Sequence, residues 1–342
     1  MNLIFTLDYE IHGNGDGSPY NLMVEPTYRL MNLLEKYGFR LTILADVAEI
    51  FCFKKYFEET GEDKFFVKEI EKQLQDAVER GHDVQLHIHS SYFKSKYNGK
   101  SWEQCWDEYS MAALPYKRIN EMVAASKQYL ESLLRPVNSG YKCHAFRAAN
   151  WSMMPTENIY NALIDNGIDT DTSVYKGGRQ GGNVDYDYTN AYSAIFPYKA
   201  SGKNINNYDP DGKITEYPIY TEMRYFWSFI SFVRIFRMIR AKFHKHKQNE
   251  NVMKNADRND PKKLSLKSFF VKSPWKLDFN QATGGQLKNA VRRIKRKYKS
   301  EDSIPVVLIG HSKSFIPYNE KTLEKFLKWA KQHTDIEHGL FL

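Results

Sequence analysis

Short apolar runs alternate with amphipathic runs along this chain, and that alternation constrains its fold more than any other feature. Residues 3–8 are apolar and end in acid; residues 25–37 follow with helical spacing of Leu30, Leu33 and Leu34 and are closed by Gly38. Residues 39–45 return to strand character, 66–80 are a charged helical run closed by Gly81, and 84–89 are strand again. Glycine just past the last helical residue supplies the left-handed conformation that ends a helix. Further strands are expected at 144–147, 168–174, 214–219, 267–271 and 304–310, and further helices at 101–134 (interrupted by Pro115), 156–166 and 320–332. Residues 177–207, rich in Gly, Asn and Tyr, read as a long irregular loop.

Strands separated by helices pair in parallel, and seven or eight of them in one chain predict an α/β protein with a closed or nearly closed barrel. A doubly wound open sheet is the competing architecture. The 342 residues, 42 per cent of them hydrophobic, suffice for one barrel-sized domain spanning the whole chain, with an insertion at about 221–265. Cys52, Cys105 and Cys143 are scattered and odd in number, which indicates neither a disulfide framework nor a thiolate metal knuckle. Neither a signal-like start nor a run long enough to span a bilayer is visible, so a cytoplasmic location is expected.

Parallel α/β barrels assemble their chemistry at the carboxyl ends of the strands. Asp8, His87, His89, Arg147, Asp171 and His311 all fall at such ends. His87 and His89 are two apart, so on a strand both imidazoles leave the same face. Two neutral imidazoles are half of a catalytic zinc-type site, which needs a third ligand and an open position for water. Taken alone, the pair equally fits two half-buried strand histidines, Arg147 a buried salt bridge, and His311 a strand-end histidine bonded to backbone.

In order, Thr6-Leu-Asp8-Tyr-Glu10, then Gly81-His82-Asp-Val-Gln-Leu-His87, then Phe146-Arg147-Ala-Ala-Asn-Trp151, and a late strand ending Gly310-His311-Ser312 resemble the polysaccharide deacetylase (NodB-homology, carbohydrate esterase family 4-like) family. Ile214-Thr-Glu216-Tyr-Pro218-Ile219 is similar to the strand before that family's last helices, and Ser273-Pro-Trp-Lys-Leu-Asp278 resembles a His-Pro-Trp-Glu-Leu-Asp segment of some exopolysaccharide members. The resemblance spans residues 3–315. It implies a distorted (β/α) barrel and a metal-dependent hydrolase that removes N- or O-acetyl groups from carbohydrates. The metal it implies is zinc first, with cobalt, nickel or manganese as alternatives.

On this resemblance Asp8 is the base, Arg147 the cation that keeps it ionised, and His311 the acid that protonates the leaving amine, with Asp171 holding His311. Tyr9 stands where the family has its second aspartate, and Glu10 is the replacement metal ligand. Ser91 stands where the family has its second histidine, so His89 joins His87 as ligand. The alternative reading is a deacetylase-like protein without catalysis that binds carbohydrate or anions.

The net charge of +8 is concentrated between Arg224 and Lys299. Phe229, Phe232, Phe236, Ile239 and Phe243 recur at helical steps among Arg234, Arg237, Arg240, Lys242, Lys245 and Lys247. Such a helix fits an anionic membrane surface and equally fits a cover over the barrel. A second basic run, 288–299, carries its own stripe of Leu287, Val291, Ile294 and Tyr298 and reads as an outer barrel helix. No nucleic-acid motif accompanies either run, so no nucleic-acid partner is expected. A lipid- or nucleotide-linked sugar precursor of surface polysaccharide, met at the inner face of the membrane, fits both the resemblance and the basic segment.

Overall fold

The computed structural model describes residues 1–11, 13–225 and 271–341. Its main elements, in order, are β1 (Asn2–Tyr9), α1 (Glu25–Lys36), β2 (Leu41–Asp46), α2 (Val47–Thr60), α3 (Val67–Glu79) and β3 (Asp83–Ile88). There follow α4 (Tyr116–Leu134), β4 (Ala145–Ala148), α5 (Thr156–Asp165), β5 (Thr170–Asp171), β6 (Tyr198–Ala200) and β7 (Ile214–Glu216). The last are β8 (Thr221–Tyr225), β9 (Lys272–Lys276), α6 (Gly284–Lys297), β10 (Pro305–His311), α7 (Pro317–Lys331) and β11 (Glu337–His338).

The main sheet runs β6-β7-β5-β4-β3-β2-β1-β10, with β11 also on β1, and only β6 is antiparallel to its neighbour. Past β7 the chain reaches the opposite end of that order: Ile219 pairs with Val307 of β10, and Tyr220 N–H donates to the Val307 carbonyl at 3.1 Å. Residues 277–279 join β10 as well, with Phe279 N–H on the Ile309 carbonyl at 3.0 Å and Ile309 N–H on that of Leu277 at 3.1 Å. The sheet therefore curls back on itself as a distorted barrel, and the expectation of a barrel over an open sheet is met.

Both faces of β1 are covered, as a central parallel strand requires. Tyr9 points to the helix layer, where its hydroxyl donates to Gln73 of α3 at 2.8 Å. Asp8, on the other row, faces the barrel interior at its carboxyl end, beside Arg147. In α6, Leu287, Val291 and Ile294 are buried, so the second basic run is the outer helix its stripe predicts.

One expectation is corrected, one helix was not anticipated, and one expected strand falls mostly outside the described residues. Residues 101–115 carry only short 3-10 turns and a two-residue strand; the helix begins immediately after Pro115, whose ring lacks the N–H a helix interior uses. Helix α2 was not anticipated, because its burial is uneven along the run and Asp46 caps it directly from the strand end. The strand expected at 267–271 lies outside the described residues except Val271. The strand that is present starts at Lys272 and pairs antiparallel with β8, with Lys272 opposite Tyr225. The aromatic basic run 229–243 also lies outside the described residues. Among those described, no helix is long and apolar enough to cross a membrane.

Candidate active site

At the carboxyl end of β1, Asp8 Oδ1 accepts from Arg147 Nη1 of β4 at 2.6 Å. The guanidinium is fully buried and fixed from behind: Nε donates to the Thr172 carbonyl at 2.9 Å and Nη2 to Thr172 Oγ1 at 3.2 Å. Burial alone pushes the Asp8 carboxyl up, but Arg147, with His311 and His87, holds it below its ordinary value. Asp8 Oδ2 is left facing the site, 3.5 Å from His311 Nε2.

One residue past the end of β1, Glu10 faces the same cluster. Its Oε2 lies 3.4 Å from His87 Nε2 and 3.2 Å from His89 Nε2. Its Oε1 accepts from Lys313 Nζ at 2.7 Å. His87 Nδ1 meets the Arg147 carbonyl at 2.7 Å, which assigns the ring proton to Nδ1 and turns Nε2 inward. His89 is the first residue after β3 and remains extended (φ −92°, ψ 92°), so it stays on the row of His87. A 3-10 turn begins at Ser90, and the Ser91 hydroxyl is carried to Gln104, 2.8 Å away, out of the cluster.

Burial disfavours charge on all these groups, and their partners decide the outcome. Lys313, His89 and His87 hold Glu10 well below the carboxylate range. His87 is pushed up to about 9 because Glu10, Asp8 and Asp46 outweigh its burial. His89 is pushed down, since burial outweighs Glu10 and Asp46 there. Glu10 Oε2 and His87 Nε2 are buried without a hydrogen-bond partner. Unpaired buried donors and acceptors are costly, and a divalent cation between them would remove that cost. One carboxylate and two imidazoles, with ligand atoms all within 4.8 Å of one another, fit a metal of the zinc class.

His311 ends β10, and its N–H donates to Asn280 Oδ1 at 2.6 Å. Trp151 stands edge-on to its ring, with centroids 6.0 Å apart at 87°. Asn150 and Trp151 hold this position with φ of 54° and 58°, a conformation costly for consecutive non-glycine residues. Lys276 Nζ sits 3.1 Å over the Trp151 ring and 4.4 Å from that of Tyr175; burial pushes its pKa down to about 8 despite Asp278 and Asp8 nearby. The result is an aromatic wall with a cation on it, beside the cluster.

Asp171, expected to hold His311, does not reach it. The carboxylates in ion-pair range of His311 are Asp8 and Glu10, and Asp278 also acts on it electrostatically. Asp171 lies on β5, where its two oxygens accept from the hydroxyl (2.7 Å) and N–H (3.2 Å) of Ser173, beside Glu216. Burial pushes both of these carboxyls up, Glu216 the further because Asp171 is adjacent.

Four groups of the cluster escaped the sequence reading. Asp46 ends β2 and lies 3.3 Å from His89 Nδ1 through its Oδ2. Glu49, one turn into α2, accepts from Ile11 N–H at 2.9 Å. The strand-end rule that found Asp8 would have found Asp46 had the strand been carried one residue past Ala45. Lys313 and Lys276 had no comparable signal, since lysines close to strand ends are ordinary.

No family model matches the sequence, and no curated protein matches it. Among solved structures, the chain is similar to a provisionally assigned glycoside hydrolase/deacetylase from Parabacteroides distasonis, at 12 per cent identity and TM-score 0.53, covering 98 per cent of this chain and 68 per cent of that one. It is also similar to 4-α-glucanotransferase from Thermococcus litoralis (12 per cent identity, TM-score 0.51), covering all of this chain but 39 per cent of that one. Lower in TM-score, at 0.42, is a family 4 carbohydrate esterase from Streptomyces lividans, 10 per cent identical and covered to 93 per cent by the whole of this chain. At these identities the likeness is one of architecture, and it joins the ordered motifs of the sequence: the chain has the distorted (β/α) barrel fold of the polysaccharide deacetylase type, in a divergent form.

Proposed function

We propose that this protein is a metal-dependent hydrolase that removes an N-acetyl group, or another N- or O-linked acyl group, from a carbohydrate. The observation that carries the reading is the convergence of His87 Nε2, His89 Nε2 and Glu10 Oε2 beside the Asp8–Arg147 pair.

Glu10, His87 and His89 would hold the cation. When bound, it supplies an acidified water and polarises the acyl carbonyl. Asp8 Oδ2, not engaged by Arg147, takes the proton of the attacking water, and Arg147 keeps that carboxylate ionised and oriented beforehand. His311 faces Asp8 Oδ2 and gives a proton to the leaving nitrogen or oxygen. Burial pushes the His311 ring below its ordinary value against the pull of Asp8 and Glu10, so a proton passed to it from Asp8 is readily given up to the leaving group. Trp151, half-buried beside His311 and backed by Lys276 and Tyr175, is the aromatic side chain placed to meet a sugar ring.

Incubating purified protein with N- and O-acetylated oligosaccharides and measuring acetate release tests the reading. Release that stops with a chelator and returns with zinc, cobalt, nickel or manganese is expected; binding of sugar without release under any metal would instead identify a non-catalytic binding protein. The sugar is proposed to be lipid- or nucleotide-linked and to be met at the inner face of the membrane, with the basic stretch 224–247 on the lipid surface. Liposome flotation with and without anionic lipid tests this part, and no binding in either case removes it.

A further inference from the structure

Asp8, Glu10, Asp46 and Glu49 are buried around this cluster, and the lysines and arginines among the described residues pair with the first two alone. Arg147 pairs with Asp8 and Lys313 with Glu10. Asp46 and Glu49 are both 0 per cent exposed, and among the described residues no lysine or arginine stands within ion-pair distance of either. Taking an uncompensated carboxylate out of water is strongly unfavourable, and two side by side more so.

Each member of this pair has one oxygen engaged by backbone N–H groups and one left over. Asp46 spends Oδ1 on the N–H groups of Ala48 (3.2 Å) and His89 (3.1 Å), and Glu49 spends Oε2 on Ile11 N–H. Asp46 Oδ2 and Glu49 Oε1 are left buried with no hydrogen-bond partner. The third group there is His89, whose Nδ1 is 3.3 Å from Asp46 Oδ2. One ligand atom from each of Asp46, Glu49 and His89 fits within a 4.8 Å span.

We propose that Asp46, Glu49 and His89 form a second divalent-cation site, separated from the Glu10–His87–His89 site by the His89 ring, so that the centre takes two cations. It rests on the metal reading of the first site only for the shared ring. The two sites differ in donor hardness. The first offers two nitrogens and one oxygen; the second offers two oxygens and one nitrogen, and carries the two carboxylates that lack a cation. Zinc suits the first, and manganese or zinc the second. Bridging of both ring nitrogens by cations requires His89 to lose its remaining ring proton to the buffer; no electron is transferred.

The competing role for Asp46 is to orient His89 by accepting from its Nδ1–H while a single cation sits on Nε2. Metal counting separates the two. The full-length protein is stripped with chelator, dialysed against zinc or manganese, and its content measured by inductively coupled plasma mass spectrometry and native mass spectrometry. Two equivalents are expected in the wild type, one in Glu49→Gln and one in Glu10→Gln. Manganese-loaded wild type should also give an exchange-coupled electron paramagnetic resonance spectrum, which needs no variant and serves if Glu49→Gln fails to fold. One equivalent in the wild type, unchanged in Glu49→Gln and lost in Glu10→Gln, overturns this proposal and leaves the first site standing. No metal in the wild type overturns both.

Discussion

Arg147 Nη1 lies 2.6 Å from Asp8 Oδ1 although the strands that carry them are not neighbours. Strands β2 and β3 stand between β1 and β4 in the sheet, and it is the curl of the sheet that lets a long side chain from one meet a short one from the other inside the barrel. The contact is at once an element of the fold and the means by which a buried carboxyl remains a carboxylate.

Removing the guanidinium leaves Asp8 as a buried charge without its main cation. Breaking a buried pair in this way costs about 3–5 kcal/mol. Arg147→Met should therefore lose about that much in urea denaturation. Asp8→Asn, which removes the charge and keeps an acceptor for Arg147, should lose less.

Glu216 gives a pH signature at the other end of the sheet. Burial, and then Asp171, push its carboxyl well above the ordinary 4.5. A carboxyl raised in the folded state supports stability fully below its unfolded value, and that support is lost as pH rises through the folded value. Glu216→Gln keeps the neutral form and still offers an N–H to Asp171. Its melting temperature should exceed that of wild type by a margin that grows from pH 4.5 upward. A constant margin would show that Glu216 does not titrate between the two states.

Gly310 has no room for a side chain. A Cβ there would lie 2.2 Å from the Phe279 ring and 2.7 Å from Asn280 Oδ1, the atom that receives His311 N–H. Gly310→Ala should lose about 1–3 kcal/mol through overpacking. It should also lose more acetate release than stability, because the segment it displaces holds His311; parallel melting and turnover measurements distinguish the two effects.

Much of this was legible in the sequence, and the exceptions have physical causes. Apolar runs ending in Asp8, His87, Arg147 and His311 announced parallel strands, because a strand covered on both faces has to be apolar until it leaves the sheet. His89 was found by period-two alternation, which holds past the end of β3 because its backbone stays extended, whereas Glu10 came from the family resemblance as the carboxylate nearest the position held by Tyr9. The role of Asp171 was misread, since strand order decides which strand ends meet, and the sequence does not state that β5 lies next to β7 and away from β10. The hairpin of β8 and β9 was missed for a similar reason: its register joins residues on either side of the 226–270 stretch. Lys276 became notable only once Trp151 and Tyr175 were seen beneath it.

The central claim is that His87, His89 and Glu10 hold a metal that Asp8 uses but does not bind. Metal analysis of purified wild type, His87→Ala and Asp8→Asn, with acetate release measured on the same samples, tests it most directly. The account predicts bound divalent metal and turnover in wild type, loss of both in His87→Ala, and retained metal without turnover in Asp8→Asn. Metal content in His87→Ala equal to that of wild type would contradict it.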